Sequence, residues 1–176
     1  MSTSTWFIFT DASHEPGPEC VTAGVGAVLV NSLGEKVNFL SEQIAETILR
    51  TINASRRKTI IFECEFFAVF CAMLSWREKL TRCNVVIHTD NDGVRDSFIS
   101  CHITSENAVP ILNACLQLEF EAAMNTWITR VPTESNVADN PFDVTSLTQR
   151  GCARTSFDPC SMWRTMSDRN WGSTAT

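Results

Sequence analysis

The chain has 176 residues, enough for one domain with a sizeable core, and its 44 % hydrophobic and 19 % charged composition is ordinary for a globular protein. A net charge of −6 and a pI near 5.0 exclude a basic surface spread over the whole molecule, though not a local one. No apolar run approaches the roughly 18 residues of a membrane helix, and the opening "MSTST" lacks the basic and apolar parts of a secretory leader, so an intracellular chain without a membrane partner is expected.

"WFIFTDAS" (6–13) reads as a strand ending in a polar turn, and "HEPGPE" as a loop. Residues 23–44 read as two strands with a turn near Asn31–Gly34, an antiparallel hairpin. Ala45, Ile48, Leu49 and Ile52 space an amphipathic helix over 45–58. The run 59–80, "TIIFECEFFAVFCAMLSWREKL", is apolar almost all round, as a helix buried against a sheet is. "NVVIHTDN" is the next strand and "DGVRDSFIS" a short helix, with Asp92 as its expected N-cap. Residues 105–125 read as a helix capped by Ser105, with Pro110 in its first turn or forcing a later start. "TWITRV" (126–131) alternates like a strand, "PTESN" is a loop, and "VADNPFDVTSLTQRG" opens a final short helix or turn. The pattern fades after Gly151, so residues 1–150 are read as the domain and 151–176 as a C-terminal tail, packed on it or free of it.

The order β-β-β-α-α-β-α-α-β-α predicts an α/β fold: a five-stranded mixed sheet, antiparallel hairpin strands then parallel ones, flanked by helices. "WFIF" and "NVVI" are continuous apolar runs, as central strands covered on both faces require. The eight cysteines show no CxxC spacing, which favours small core residues over a disulfide framework or a zinc site.

Carboxylates stand where a buried core would not place them. Asp11 follows the first strand, Asp90 the fourth and Asp139 the fifth, while Glu65 sits inside the apolar helix. A buried carboxylate costs several kcal/mol unless paired, hydrated or metal-bound. If the first, fourth and fifth strands run parallel side by side, these groups share one sheet edge, where α/β folds bind ligands. Clustered carboxylates repel unless divalent cations neutralise them, and hard oxygen ligands suit Mg²⁺ or Mn²⁺. Two such ions about 3.5–4 Å apart form the clamp for phosphodiester displacement.

In chain order, "FTDAS…GVGAVL", "ECEFFAVFCAM", "VVIHTDNDGVRDSF" and "WITRVPTESNVADNPFD" resemble the four successive motifs of the ribonuclease H (RNase H) fold, over residues 6 to about 145. The likeness is greatest to the RNase H domains of retroelement reverse transcriptases, which share the tryptophan strand, the "VP" turn and the Asn…Ala-Asp…Pro ending. The resemblance implies an endonuclease hydrolysing the RNA strand of RNA–DNA hybrids with two Mg²⁺ or Mn²⁺ ions, leaving a 3′-hydroxyl and a 5′-phosphate. It also implies a reverse transcriptase domain as a partner. Asp11 would bridge the ions, Glu65 would serve the leaving-group side, and Asp90 and Asp139 would complete the two sites. Backbone near Ala12 and Ser13, and near Cys64 and Glu65, would read the 2′-hydroxyl that separates RNA from DNA. Asn91 would contact a phosphate or sugar.

Each assignment has a plainer competitor. Asp11 and Asp90 suit turns. Glu63 competes with Glu65, which matches the family better, and Asp143 with Asp139. Arg56, Arg57 and Lys58 are either a solvated helix end or a phosphate-facing patch, and Arg77, Lys79 and Arg82 form a looser second patch. Cellular relatives carry a histidine in the loop before the last acidic motif; "PTESN" has none, and His14, His88 and His102 lie elsewhere. That departure, with the negative net charge, suits a domain gripped through its polymerase. It also keeps open a catalytically inactive structural module. Another nuclease on the same fold is the remaining alternative, although "TDAS" lacks the second acid of a 3′–5′ exonuclease, and an integrase seldom carries such a fourth motif.

Overall fold

The structure is a computed structural model that describes residues 4–16, 21–53, 59–138, 147–148 and 151–168. Three strands come first: β1 (Thr5–Pro16), β2 (Val21–Val30) and β3 (Lys36–Gln43), paired antiparallel as a meander. The β2–β3 turn is the expected one. Asn31 Oδ1 accepts the N–H groups of Leu33 and Glu35, and Gly34 takes φ +80°, a conformation open to glycine. The short helix α1 (Glu46–Ile52) follows; residues 54–58, the rest of the expected helix, lie outside the described residues. Next come α2 (Ile61–Ser75), α3 (Arg77–Leu80), β4 (Asn84–Thr89), α4 (Asp92–Ser100), α5 (Val109–Glu121) and β5 (Asn125–Arg130). Two further elements close the described chain, β6 (Ala153–Arg154) and α6 (Pro159–Asp168).

The sheet has six strands in the order β5-β4-β1-β2-β3-β6, one more than expected. β4 lies parallel between β1 and β5, and β6 adds a short parallel rung to β3. The segment read as a fading tail therefore extends the sheet. Its anchors lie far back in the chain: the Thr155 N–H donates to the Phe39 carbonyl at 2.7 Å, and the Arg154 guanidinium to the Ser41 carbonyl and the Glu42 carboxylate.

α2 explains its own composition. Phe66, Phe67, Phe70, Cys71 and Met73 are fully or almost fully buried, because the helix packs on β1 and β2 and is covered in turn by α5 and α6. Trp163 of α6 meets Phe67 edge-on at 5.6 Å. A helix with neighbours on all sides has no polar face to keep. The run 59–80 is not one helix: it breaks at Trp76, whose indole N–H donates to Thr155 Oγ1 at 2.9 Å. Ser105 does not cap α5, whose N-cap is Ala108 with Pro110 in the first turn. Ser105 instead starts the preceding turn, its carbonyl accepting from the Ala108 and Val109 N–H groups. The seven described cysteines are free thiols.

Candidate active site

The parallel register of β1 and β4 makes the site. Phe9 pairs with His88, so Asp11 and Asp90 each stand two residues beyond the last pair, side by side. Each follows a threonine that turns inward: Thr10 is fully buried and Thr89 nearly so, while the two aspartates are half-buried. Thr10 Oγ1 donates to the His88 carbonyl at 3.4 Å, and Thr89 Oγ1 accepts from the Asn91 N–H at 3.2 Å. The Thr-Asp doublet, repeated where the β1–β4 pairing ends, is a signal that sequence reading passed over. Asp11 does not follow β1, as expected; it lies within it, because β1 continues opposite β2, where Asp11 faces Gly26.

Glu65, in the second turn of α2 and 4 % exposed, completes the group: carboxylate oxygens of Asp11, Glu65 and Asp90 all lie within 4.8 Å of one another. The competition between Glu63 and Glu65 is resolved by position. Glu63 is equally buried but accepts a short hydrogen bond from the Ser105 hydroxyl, a contact that steadies the turn before α5. Two residues along a helix turn a side chain by about 200°, so the two acids face different neighbours. Between them, burial pushes the Cys64 thiol up to about 12, with Glu63 and Glu65 adding to the shift, so it stays protonated and is no nucleophile.

Around this core the other expected residues fall into place unevenly. Asn91, not Asp92, caps α4: its Oδ1 accepts the Val94 N–H at 3.2 Å. Gly93 makes this possible, since a Cβ there would meet the Phe62 ring at 3.0 Å and Asn91 Oδ1 at 3.2 Å. Asp92 instead binds Arg95 at 2.8 Å and Arg130 at 3.4 Å, two cations beside the site that the sequence reading did not single out. Ala12 and Ser13 continue β1 past Asp11, opposite Val25 and Gly24. Arg77, Lys79 and Arg82 precede β4 and so stand at its opposite end from Asp90; Arg77 is paired with Glu121. Asp139, Asp143, Arg56, Arg57 and Lys58 lie outside the described residues. His88 stacks on Phe9, ring centroids 4.4 Å apart, and burial lowers its pKa from 6.5.

The loop after β5 closes over the strand ends. The Val131 N–H donates to the Thr89 carbonyl at 2.9 Å, the Thr133 hydroxyl to Asp90 Oδ2 at 2.9 Å, and Asn136 Nδ2 to the Thr10 carbonyl at 2.9 Å. Three oxygen-donor acids this close, one of them deeply buried, fit a hard divalent cation such as Mg²⁺ or Mn²⁺.

No family model and no curated protein matches the sequence. Solved structures do match the fold. RNase H1 from the halophilic archaeon Halobacterium salinarum NRC-1 is 17 % identical with a TM-score of 0.60, over 80 % of this chain and 98 % of that one. LC11-RNase H1 in complex with an RNA/DNA hybrid is 19 % identical with a TM-score of 0.62, over 76 % and 91 %. The foamy viral protease-reverse transcriptase in complex with dsDNA is 16 % identical with a TM-score of 0.55, over 84 % and 93 %. With identities this low the likeness speaks for architecture, and the chain is an RNase H-like domain in its fold.

Proposed function

We propose that this chain is a metal-dependent endonuclease that hydrolyses the RNA strand of RNA–DNA hybrids. The observation that carries the reading is the convergence of Asp11, Glu65 and Asp90 just beyond the point where the β1–β4 pairing ends. These three acids would hold divalent ions, with Asp139 as the proposed fourth ligand. Bound there, two ions would supply an activated nucleophile and stabilise charge on the phosphoryl and leaving oxygens. The chain's own part is placement. Register sets Asp11 against Asp90, and burial in α2 holds Glu65 beside them. Backbone near Ala12 and Ser13 is the proposed reader of the 2′-hydroxyl, with Asn91 as a contact to phosphate or sugar.

A net charge of −6 gives the isolated chain little electrostatic grip on nucleic acid. That supports a domain working beside a polymerase, as in a retroelement reverse transcriptase, and the foamy viral likeness agrees. The test is cleavage of a labelled RNA–DNA hybrid at low salt with Mg²⁺ or Mn²⁺, beside Asp90→Asn and single- and double-stranded RNA. Hybrid-specific cleavage that disappears in the variant is expected. A folded chain that binds the ions yet leaves the hybrid intact at high concentration would turn the reading toward an inactive module.

A further inference from the structure

We infer that Thr133 is a positioning residue for the metal site, and that the loop 131–138 is the latch that holds it there. The inference rests on the metal-site reading above. Asp90 is half-buried at the end of β4, and a carboxylate there has several staggered side-chain conformations open to it. Among the described residues one contact selects among them: the Thr133 hydroxyl donates to Asp90 Oδ2 at 2.9 Å. A bond to one oxygen leaves Oδ1 and the remaining lone pairs for an ion, and sets the plane in which they point.

Thr133 is itself held from both sides. Before it, the Val131 N–H bonds the Thr89 carbonyl; after it, Asn136, 5 % exposed, bonds the Thr10 carbonyl. Thr89 and Thr10 are the residues immediately before Asp90 and Asp11, so the loop is pinned to the backbone that presents two of the three acids. Inside the loop, the Ser135 and Asn136 N–H groups bond the Pro132 and Thr133 carbonyls, closing a single 3-10 turn at Thr133–Ser135. Asn136 Oδ1 takes the Ala138 N–H at 3.1 Å. Thr133 is exposed, so its hydroxyl is not needed for the core. A rigid, doubly anchored loop ending in one contact to a metal-site carboxylate has the form of an outer-shell support.

The experiment titrates the full chain with Mn²⁺ alone, by calorimetry, in wild type, Thr133→Val, Thr133→Ala, Thr133→Ser and Asp90→Asn. Each melting temperature is measured first in chelator. Thr133→Val and Thr133→Ala should bind Mn²⁺ about 10-fold more weakly, and Thr133→Ser within about two-fold of wild type, as expected for an outer-shell ligand. Their ion-free melting temperatures should stay within about 2 °C of wild type, as for a surface change. Wild-type affinity in Thr133→Val and Thr133→Ala, with binding lost in Asp90→Asn, would overturn the inference and leave the metal site standing. Equal weakening in the serine variant would overturn it too, because the hydroxyl would not be the cause. No Mn²⁺ binding by wild type would remove the metal site, and the inference with it.

Discussion

The acid cluster beyond the last β1–β4 pair and the closing segment 151–168 are assembled in opposite ways. The first places like charges within 4.8 Å of one another and ties them down with polar contacts: Thr10 to the His88 carbonyl, Thr133 to Asp90, Asn136 to the Thr10 carbonyl. The second spends its residues on coverage. Its Thr155 joins Phe39 and Trp76, Trp163 lies on Phe67, and Met166 is almost fully buried. One region gathers acidic ligand atoms with the spacing a cation would need, and the other supplies burial. Chemistry and stability should therefore separate between them.

The sharpest break of that comparison is truncation. A chain ending at Arg150 loses β6 and α6, uncovering one side of α2 and the edge of β3. We expect no cooperative unfolding transition and a collapsed near-ultraviolet dichroism signal. A truncated chain that melts cooperatively near the wild-type temperature would show that the closing segment is an ornament. Next in size is Asp90→Asn. The cleavage rate should fall by about 10³-fold, which is about 4 kcal/mol of lost transition-state stabilisation. In chelator the same variant should melt above wild type, because one of three neighbouring charges is gone. A drop in melting temperature would mean that Asp90 holds the fold rather than an ion.

The two regions also differ in how far residues alone reveal them. Apolar runs at 6–9 and 85–87 identify the central strands, and the meeting of Asp11 and Asp90 is legible once those strands are taken to lie parallel side by side, as the register shows they do. Glu65 is legible only as one of two buried acids. Its rival Glu63 is satisfied by Ser105, 42 residues on, and no local pattern carries that bond. The Asn91 cap is missed by one residue because Asn91 and Asp92 are both good capping residues; the choice depends on how closely Gly93 packs against Phe62. β6 is two residues long, and its partner strand lies 115 residues back in the chain, beyond any periodicity signal. α6 does carry a spacing, Met162, Trp163 and Met166, but most of its other residues are polar, and the stripe has meaning only against Phe67.

The smallest expected effect tests the closing segment without destroying it. Trp163 is partly buried, so Trp163→Ala should cost about 2 kcal/mol, below the 3–5 kcal/mol typical of a fully buried aromatic. Thiol labelling reads where that cost falls. Burial pushes the Cys71 thiol well above its ordinary 9.0, so in the native protein it should alkylate only through opening, whereas the exposed Cys101 should react directly. Cys71 lies one helical turn from Phe67, the ring that Trp163 meets edge-on. In Trp163→Ala its labelling rate should rise roughly 30-fold, the equivalent of that 2 kcal/mol, while Cys101 serves as an unchanged reference. Cleavage per folded molecule should not move, because nothing in α6 reaches the acids. An unchanged Cys71 rate would show that α6 rests on α2 without sealing it. A fall in cleavage matching the rise in labelling would mean that the two regions are coupled, and that burial at Phe67 also sets the position of Glu65 two residues before it on α2.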